Sequence, residues 1–536
     1  MSLRKFASRL ERSGRPLLPV AAAFLAALLW GTVTAGQEVR TYHNNNARSG
    51  YMKETILTTA NVNFTTFGKL FTIAVDGKVD AQPLYLSSVA TTTGTHNLLI
   101  VATEHDSMYV FDADTGAPVW HIRTLKSGET PSDDRGCDQV SPEIGITSTP
   151  VIARPVGSNG VIYAVAMSKD GTGTYHQRLH AIDAATGNEL LNGPVEINAK
   201  YPGSGDNSSG GYVIFDPSQY KERSGLLLLN GIVYLAWASH CDYRPYTGWI
   251  MGYKASTLAQ TAVLNVTPNG NDGAFWGSGA GLAADNTFNI YALTSNGVFD
   301  SSLNSAGFPS GGDYGNAFLK ISAKAGLAVA DYFEMYNQQA ENNSDIDLGS
   351  GGAVVLPDMK DSSGNTWQLA AGAGKDGNLY LVNRAAMGKF HPNGNNIYQE
   401  LPGVLPGGIW SAPAYAFGRL YFGPVGSPLL AFQFKNARLL PAAVAQTPNT
   451  FGYPGATPSI SSNGTTNAIV WAAENSFPAV LHAYNAFNLK ELYNSNQAAN
   501  NRDHFGSGNK FITPTIANGK VYVGTTNGVG VFGLLK

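Results

Sequence analysis

The sequence has few cysteines, few charged side chains and, beyond its first residues, no long apolar run. Its 536 residues include only two cysteines, Cys137 and Cys241, and 14% charged side chains. No segment after the N-terminus is long and apolar enough to predict a membrane-spanning helix. No Cys/His cluster has zinc spacing, so two cysteines leave room for one disulfide. A net charge of −3, with no basic block past the N-terminus, argues against nucleic-acid binding.

The first residues have the layout of a secretory signal peptide. Arginine and lysine residues precede an apolar run from Leu17 to Trp30, which ends in the small-residue stretch TVTAGQ. We therefore expect residues 1–36 to be cleaved and the mature protein to be secreted or periplasmic, without a membrane span. An uncleaved anchor is the alternative. In an oxidising compartment Cys137 and Cys241 are expected to be bonded to each other, and two separate thiols are the alternative.

Glycine, aromatic residues and short alternating strands are abundant. The 61 glycines and the 11% aromatic content favour many short strands joined by tight turns. The stretch YVFDADTGAPVW (Tyr109–Trp120) predicts a strand, an Asp-x-x-Thr-Gly turn and a second strand. The turn returns in LHAIDAATGNELL (Leu179–Leu191), and looser copies follow. Eight such units start at intervals of roughly 40–75 residues, which predicts an all-β, eight-bladed β-propeller of four-stranded antiparallel blades.

The last unit supplies only three strands. The stretch FGKLFTIAV (Phe67–Val75), upstream of the first unit, is expected to add the fourth and so to remove an exposed sheet edge. This assigns residues 37–66 to an N-terminal extension and residues 67–536 to one propeller domain. Trp120, which follows the first turn, is expected to pack between blades.

The Asp-x-x-Thr-Gly turn followed by Trp resembles the tryptophan-docking repeat of pyrroloquinoline-quinone (PQQ) dehydrogenases, from about Ala81 onward. The stretches YHNNNARSG, ATEHDSMYVFDAD, CDQVSPEIGITSTP and GAGKDGNLYLVNR resemble an exported bacterial branch of PQQ-like repeat proteins. The chain thus resembles the quinoprotein alcohol dehydrogenase superfamily. The resemblance implies a quinone on the propeller axis at one mouth, above a Trp side chain. It also implies a calcium ion bridging the quinone to Glu and Asn side chains, and an Asp that acts as base.

The resemblance assigns roles to individual residues. Trp276, in FWGSG, matches the Trp under the quinone; Asn296, in IYALTSNGVFD, matches the calcium-binding Asn. Asp313, in GGDYGN, matches the catalytic base and would be the second metal ligand. Apart from the resemblance, the cationic side chains of Lys375 and Arg384 are expected to face an anionic ligand, such as a quinone carboxylate or an acidic sugar. The alternatives are a Trp packed between blades, an Asn-Gly turn, a solvated loop Asp and scattered solvated cations.

Two parts of that family's site are missing from the sequence. The stretch ATEHDSMY stands where the family has its adjacent Cys pair. The stretch DGTGTYHQRLHAID lacks the calcium-binding Glu of the family, and Glu104 and Glu143 are the residues that could substitute for it. Three functions stay open. The first is a PQQ-dependent and calcium-dependent oxidoreductase acting on alcohols or sugars. The second is a non-catalytic propeller that binds a protein or glycan at its mouth. The third is a cofactor-independent polysaccharide lyase or hydrolase.

Overall fold

The structure is a computed structural model that describes residues 37–536, so the predicted signal peptide lies outside the described residues. Eight sheets, each built on four antiparallel strands, follow one another along these residues, and three of the eight carry one or two further short strands. We number them sheets 1 to 8 in the order of their first strands. Many of the strands are short and are joined by turns that contain glycine, as the composition predicted. Within residues 37–536, no helix has the length and apolar character needed to cross a membrane.

Sheets 1 to 4 contain their strands in chain order. Sheet 1 consists of Leu84–Thr91, Gly94–Ala102, Ser107–Asp112 and Pro118–Arg123. Sheet 2 consists of Val151–Ala153, Val161–Lys169, Tyr175–Asp183 and Val195–Glu196. Sheet 3 consists of Leu227–Leu229, Ile232–Ala236, Trp249–Lys254 and Gln260–Asn265. Sheet 4 consists of Ala283–Ala284, Asn289–Leu293, Phe318–Ser322 and Ala328–Phe333.

Sheets 5 to 7 repeat this order, whereas sheet 8 takes one strand from the N-terminal part of the chain. Sheet 5 consists of Val354–Val355, Leu369–Ala373, Leu379–Asn383 and Gln399–Leu401. Sheet 6 consists of Ala414–Ala416, Arg419–Phe422, Leu430–Lys435 and Ala445–Gln446. Sheet 7 consists of Ser459–Asn463, Thr466–Glu474, Val480–Asn485 and Glu491–Asn494. Sheet 8 consists of Thr515–Ala517, Lys520–Gly524, Gly528–Leu534 and Phe67–Ala74.

Short strands and helical turns lie in the connections between the sheets. The additional strands are Tyr51–Lys53, Thr130–Asp133, Glu143–Ile144, Lys200–Pro202, Ser208–Ser209, Tyr212–Ile214, Tyr220–Lys221, Ala238–Ser239, Met359–Lys360, Thr366–Trp367 and Arg438–Leu439. One α-helical turn spans Gln338–Asn343, and 3₁₀ turns span Tyr42–Asn44, Pro217–Gln219, Gly277–Gly279, Leu348–Ser350 and Ala499–Asn501.

The strand Phe67–Ala74 closes the molecule. It pairs antiparallel with Gly528–Leu534, which is the place predicted for Phe67–Val75. The pairing gives sheet 8 its fourth strand and covers the edge of Gly528–Leu534 that would otherwise be exposed. Apolar side chains pack continuously across the junction: one buried cluster contains Val529 of sheet 8, Leu84 of sheet 1 and Ile162 of sheet 2.

A short N-terminal segment, residues 39–54, contacts the sheets in numerical order. Val39 and Arg40 bond to the first strands of sheets 1 and 2, and Asn46 bonds to sheets 3 and 4. Later residues of the segment reach sheets 5 to 8, through Ala47 O to Val355 N, Ser49 O to Tyr415 N, Gly50 O to Ile460 N, and Glu54 Oε2 to Gly519 N. So short a segment reaches every sheet only because the first strands line a common central axis. The segment therefore covers one end of that axis.

Candidate functional site

A cavity of about 270 Å³, which we call the mouth cavity, lies where the chain enters the first strands of several sheets. Its lining residues precede the first strands of sheets 2 to 8 or belong to the loops after the second strands of sheets 3 and 5. The N-terminal segment bonds within the first strands, farther along the chain direction. The mouth cavity is therefore at the other end of the axis from the N-terminal segment.

Four aromatic side chains supply apolar walls to the mouth cavity. Trp276 meets Phe511 edge to face, with ring centroids 6.2 Å apart, and Trp410 meets Tyr453 in the same way at 6.1 Å. Edge-to-face packing leaves ring faces free to contact a planar ligand, and large aromatic faces are the strongest apolar contacts that a protein offers.

Two basic side chains, Lys221 and Arg223, line a second wall of the mouth cavity and have few hydrogen-bond partners among the described residues. Lys221 ends the strand Tyr220–Lys221, and Arg223 follows it by two residues, so an extended chain turns both toward the same side. Arg223 is 4% exposed, and its Nε and Nη1 atoms have no hydrogen-bond partner among residues 37–536. Its guanidinium lies 4.6 Å from the ring centroid of Phe511. A buried guanidinium with unpaired N–H groups is a strong attractor for an anion.

The third wall carries an ordered ion-pair network. Lys375 Nζ lies 2.8 Å from Asp345 Oδ1 and 2.7 Å from Asp347 Oδ2. The backbone N–H of Asn296 donates to Asp347 Oδ1 over 2.7 Å, and its Nδ2 donates to Asp345 Oδ1 over 2.9 Å. Burial raises the pKa of Asp347 to about 6, and the charge of Lys375 opposes that rise. Asn296 Oδ1 is buried and has no hydrogen-bond partner within the described range 37–536.

The structure brings three of the sequence-predicted residues together and places two elsewhere. Trp276 and Lys375 line the mouth cavity, and Asn296 bonds to two carboxylates that line it. Asp313 is not among the lining residues: its Oδ1 accepts the N–H groups of Asn269 and Gly270 over 2.9 and 3.1 Å. Burial raises its pKa to about 6.

Arg384 lies in a different cavity, of about 680 Å³, bordered by the N-terminal segment and by sheets 4 to 6. Its Nη1 is 3.2 Å from Asp285 Oδ2 and its Nη2 is 3.5 Å from Asp358 Oδ1. Asp285 itself is held by Thr287, Asn289 and Tyr291. Arg384 therefore serves a buried ion pair there and does not face the same space as Lys375.

The residues proposed for calcium do not form a calcium site. Asp313 bonds to Asn269 and Gly270, and the two acids beside Asn296 are already bridged by the Lys375 ammonium. Across residues 37–536, no cluster of three His, Cys, Asp or Glu side chains is arranged to hold a metal ion. Calcium prefers six to eight oxygen ligands, which this donor set does not provide.

The two proposed glutamate substitutes also have other partners. Glu104 Oε2 accepts bonds from Gly145 N and from Thr147 Oγ1, each over 2.9 Å. Glu143 pairs with His105 over 2.9 Å. Neither lines the mouth cavity. They therefore do not replace the missing calcium-binding Glu.

Cys137 and Cys241 form a disulfide, which confirms that prediction. Cys241 lines the mouth cavity, and so does Gln139, two residues after Cys137. The bond joins positions 104 residues apart in the sequence. It therefore ties two distant loops together at the edge of the cavity.

Sequence reasoning missed Lys221 and Arg223. The signal that could have found them is KERSGLLLL, where two cations at positions i and i+2 stand directly before an apolar first strand. Residues at that spacing face the same side of an extended chain. Two basic residues at this spacing, directly before the first strand of a sheet, therefore indicate an anion-binding site near the central axis of this fold.

No family model and no curated protein sequence matches the chain. Similar solved structures include a quinohemoprotein alcohol dehydrogenase from Comamonas testosteroni, with a TM-score of 0.62 and 15% identity over 94% of this chain and 81% of that one. A quinohemoprotein alcohol dehydrogenase from Pseudomonas putida gives 0.61 and 14%, over 93% and 80% of the two chains. A europium-containing methanol dehydrogenase gives 0.62 and 12%, over 93% and 98%.

At these identities the likeness concerns the fold alone. The chain has the β-propeller fold of the quinoprotein alcohol dehydrogenases, which confirms the predicted all-β propeller class. Sites vary widely on one fold, so the chemistry has to be argued from the mouth cavity itself.

Proposed function

We propose that this chain is an exported oxidoreductase that binds an aromatic quinone carboxylate of the PQQ class in the mouth cavity and oxidises a small alcohol or sugar. The observation that carries the proposal is Arg223, whose buried Nε and Nη1 atoms have no partner in the part of the chain that the structure describes. An anionic ligand would supply the missing acceptors. The disulfide and the signal-like residues 1–36 support export to an oxidising compartment.

The residues present fit a planar polycarboxylate. Arg223 on one wall and Lys375 on another would hold its carboxylates, while Trp276 and Trp410 offer faces to its rings. They do not fit a calcium ion, because Lys375 already occupies the carboxylates beside Asn296. The proposal therefore includes the quinone and omits the metal.

Asp347 is the residue best placed to accept the substrate hydroxyl proton. It lines the mouth cavity, and a pKa of about 6 leaves it deprotonated yet basic near neutral pH. Lys375 holds its Oδ2 and the N–H of Asn296 holds its Oδ1, which fixes the carboxylate in one orientation. When bound, a quinone of this class accepts the hydride that an alcohol loses on oxidation to a carbonyl compound. The predicted base, Asp313, is replaced in this role by Asp347.

The test is a titration of the purified full-length chain with PQQ, followed by tryptophan fluorescence, once with calcium and once with a chelator. We expect saturable binding in both, and alcohol-dependent or aldose-dependent reduction of a dye acceptor in the loaded protein. Arg223→Gln should weaken quinone binding by at least about tenfold, roughly 1.4 kcal/mol. Arg438→Gln is the matched control, because Arg438 is exposed and contacts Tyr398 far from the mouth cavity.

Three outcomes would contradict the proposal. They are absence of quinone uptake, uptake that requires calcium, and uptake that Arg223→Gln leaves unchanged. Absence of uptake would leave the mouth as a protein-binding or glycan-binding surface, or as the site of a lyase or hydrolase.

A further inference from the structure

Lys221 is a buried amine that faces a cavity and has no partner of its own. It is 3% exposed and lines the mouth cavity. Its strand is held by pairing with Ala238–Ser239, so the side chain enters the cavity from a fixed backbone. Its Nζ makes no hydrogen bond or ion pair with residues 37–536. An ammonium group buried in this way is unfavourable, and the amine relieves the penalty by losing its proton.

The charged groups around Lys221 favour the neutral amine. Burial is the largest effect and Arg223 adds repulsion, so the pKa of Lys221 falls to about 7; Lys510 acts in the same direction. Glu104 and Asp80 oppose the fall, but burial and Asp80 raise the pKa of Glu104 well above its usual value. Only one of these two acids therefore carries a charge near neutral pH.

A neighbouring histidine adds no charge. Burial, together with the charge of Lys221, lowers the pKa of His240 to about 3, so its ring is neutral. Lys221 is thus a cavity-facing amine that is largely unprotonated at slightly alkaline pH. Amines in this state are nucleophiles toward carbonyl carbon.

Arg223 supplies recognition next to this nucleophile. It stands two residues from Lys221 on the same wall, and its unpaired Nε and Nη1 can hold a carboxylate. A compound with a carboxylate next to a carbonyl group would therefore present its carbonyl carbon to Lys221. The cavity volume of about 270 Å³ is ample for such a small molecule.

We propose that the mouth cavity captures small 2-oxo acids as imines on Lys221. The Nζ lone pair adds to the carbonyl carbon and forms the C–N bond. The amine hydrogens then move to the former carbonyl oxygen, the C–O bond breaks, and one water leaves. No oxidant or reductant is consumed. This activity uses the cavity of the proposed function but does not depend on quinone binding.

The test is trapping with pyruvate or glyoxylate and sodium cyanoborohydride on the full-length chain, followed by peptide mapping by mass spectrometry. We expect Lys221 to carry the main adduct, at least about tenfold above other lysines. Labelling should rise with pH through about 7, because the neutral amine reacts. Acetaldehyde, which lacks the carboxylate, should label Lys221 at least about tenfold less, and Arg223→Gln should reduce labelling by the acids to a similar level.

Two lysine variants complete the design. Lys221→Arg and Lys221→Met should both abolish the main adduct while keeping the wild-type circular dichroism spectrum. Lys510→Arg should retain the adduct, because Lys510 does not line the mouth cavity and arginine keeps its positive charge. An adduct spread over exposed lysines, or an unlabelled Lys221 in folded protein, would overturn the inference. Quinone binding without labelling would refute only this inference, and labelling without quinone binding would refute only the proposed function.

Discussion

At Asp347 two opposing effects set the protonation state of a single carboxyl group. Burial favours the neutral acid, whereas the Lys375 ammonium, 2.7 Å from Oδ2, favours the carboxylate. Burial prevails, and the pKa rises to about 6. A base with this pKa is mostly ionised at neutral pH yet binds a proton more strongly than a solvated Asp does.

The first prediction concerns Asp347 directly. Asp347→Asn keeps the side-chain shape but removes the base, so turnover of the quinone-loaded protein should fall by about a hundredfold or more, with quinone affinity retained. In the wild type, turnover should increase as pH rises through about 6, because only the carboxylate accepts a proton. Steady-state rates between pH 5 and 8 measure both effects.

Asp313→Asn is the matched comparison. Asp313 is also buried, with a pKa raised to about 6, but it does not line the mouth cavity. Its replacement should leave the pH profile of turnover as in the wild type. If Asp313→Asn removes turnover while Asp347→Asn keeps it, the base assignment made here is wrong.

The family resemblance pointed to Trp276 and Asn296, and the polar loop residues pointed to Lys375, but neither distinguished Asp347 from Asp313. Both acids stand in loops of sheets 4 and 5, and only the loop path decides which one reaches the axis. The stretch from Asp300 to Asp313 folds back on itself: Asp300 Oδ2 accepts the N–H of Gly311, and Asp313 turns to Asn269. Such bonds join positions whose spacing carries no periodic signal, so the sequence pattern does not reveal them.

At the scale of elements, the contacts of the Asp-x-x-Thr-Gly turn explain why this sequence recurs from sheet to sheet. Asp112 Oδ1 accepts the backbone N–H and the hydroxyl of Thr115, and Asp183 Oδ1 does the same for Thr186. Trp120 Nε1, on the outer strand of sheet 1, donates to Ala184 O in the turn of sheet 2 over 3.0 Å. The turn is therefore a docking surface for the preceding sheet.

The same contact closes the ring between the last and first sheets. A Cβ on Gly116, in the turn of sheet 1, would lie 2.7 Å from Phe71 Cε2, and Phe71 is on the outer strand of sheet 8. Phe71 thus takes the place that Trp120 holds between sheets 1 and 2. The sequence allowed the turn, its strands and the packing of Trp120 to be predicted, because these depend on local turn chemistry and alternation.

A glycine substitution tests this docking. Gly187 has φ +76°, and a Cβ there would lie 2.9 Å from Trp120 Cε3. Gly187→Ala should therefore lower the free energy of unfolding by roughly 1–3 kcal/mol, from the left-handed backbone and the displaced indole together. Urea denaturation followed by tryptophan fluorescence measures it.

The control is Gly171→Ala. Gly171 has an ordinary φ, and the nearest atom to its Cβ would be Gly128 O at 4.0 Å. Its stability should stay the same or rise slightly, because alanine restricts the unfolded chain. Equal stability of Gly187→Ala and Gly171→Ala would show that the sheets do not depend on the docked turn.

At the scale of the whole molecule, two N-terminal stretches organise the ring in different ways. Phe67–Ala74 completes sheet 8, which alternation and sheet-edge reasoning could predict. Residues 39–54 contact sheets 1 to 8 in numerical order, and no sequence pattern predicted these contacts. Most of their contacts use backbone atoms, which carry no residue signature. Asn46, Glu54 and Arg48 also bond through their side chains, and the buried guanidinium of Arg48 donates to Leu282 O and Leu226 O.

The last prediction separates these two roles by truncation. Compared with a chain beginning at Gln37, a chain beginning at Thr55 loses the residues that bond to sheets 1 to 8 but keeps every four-stranded sheet. It should remain monomeric and melt at a lower temperature, because the carbonyl and N–H groups of the first strands lose buried partners.

A chain beginning at Asp76 also loses the outer strand of sheet 8, which exposes the edge of Gly528–Leu534 and should cause aggregation. Size-exclusion chromatography with light scattering and thermal melting distinguish the two. A monomeric chain from Asp76 with the melting temperature of the chain from Thr55 would show that the last sheet needs no closing strand, and the ring would then be held by packing between sheets alone.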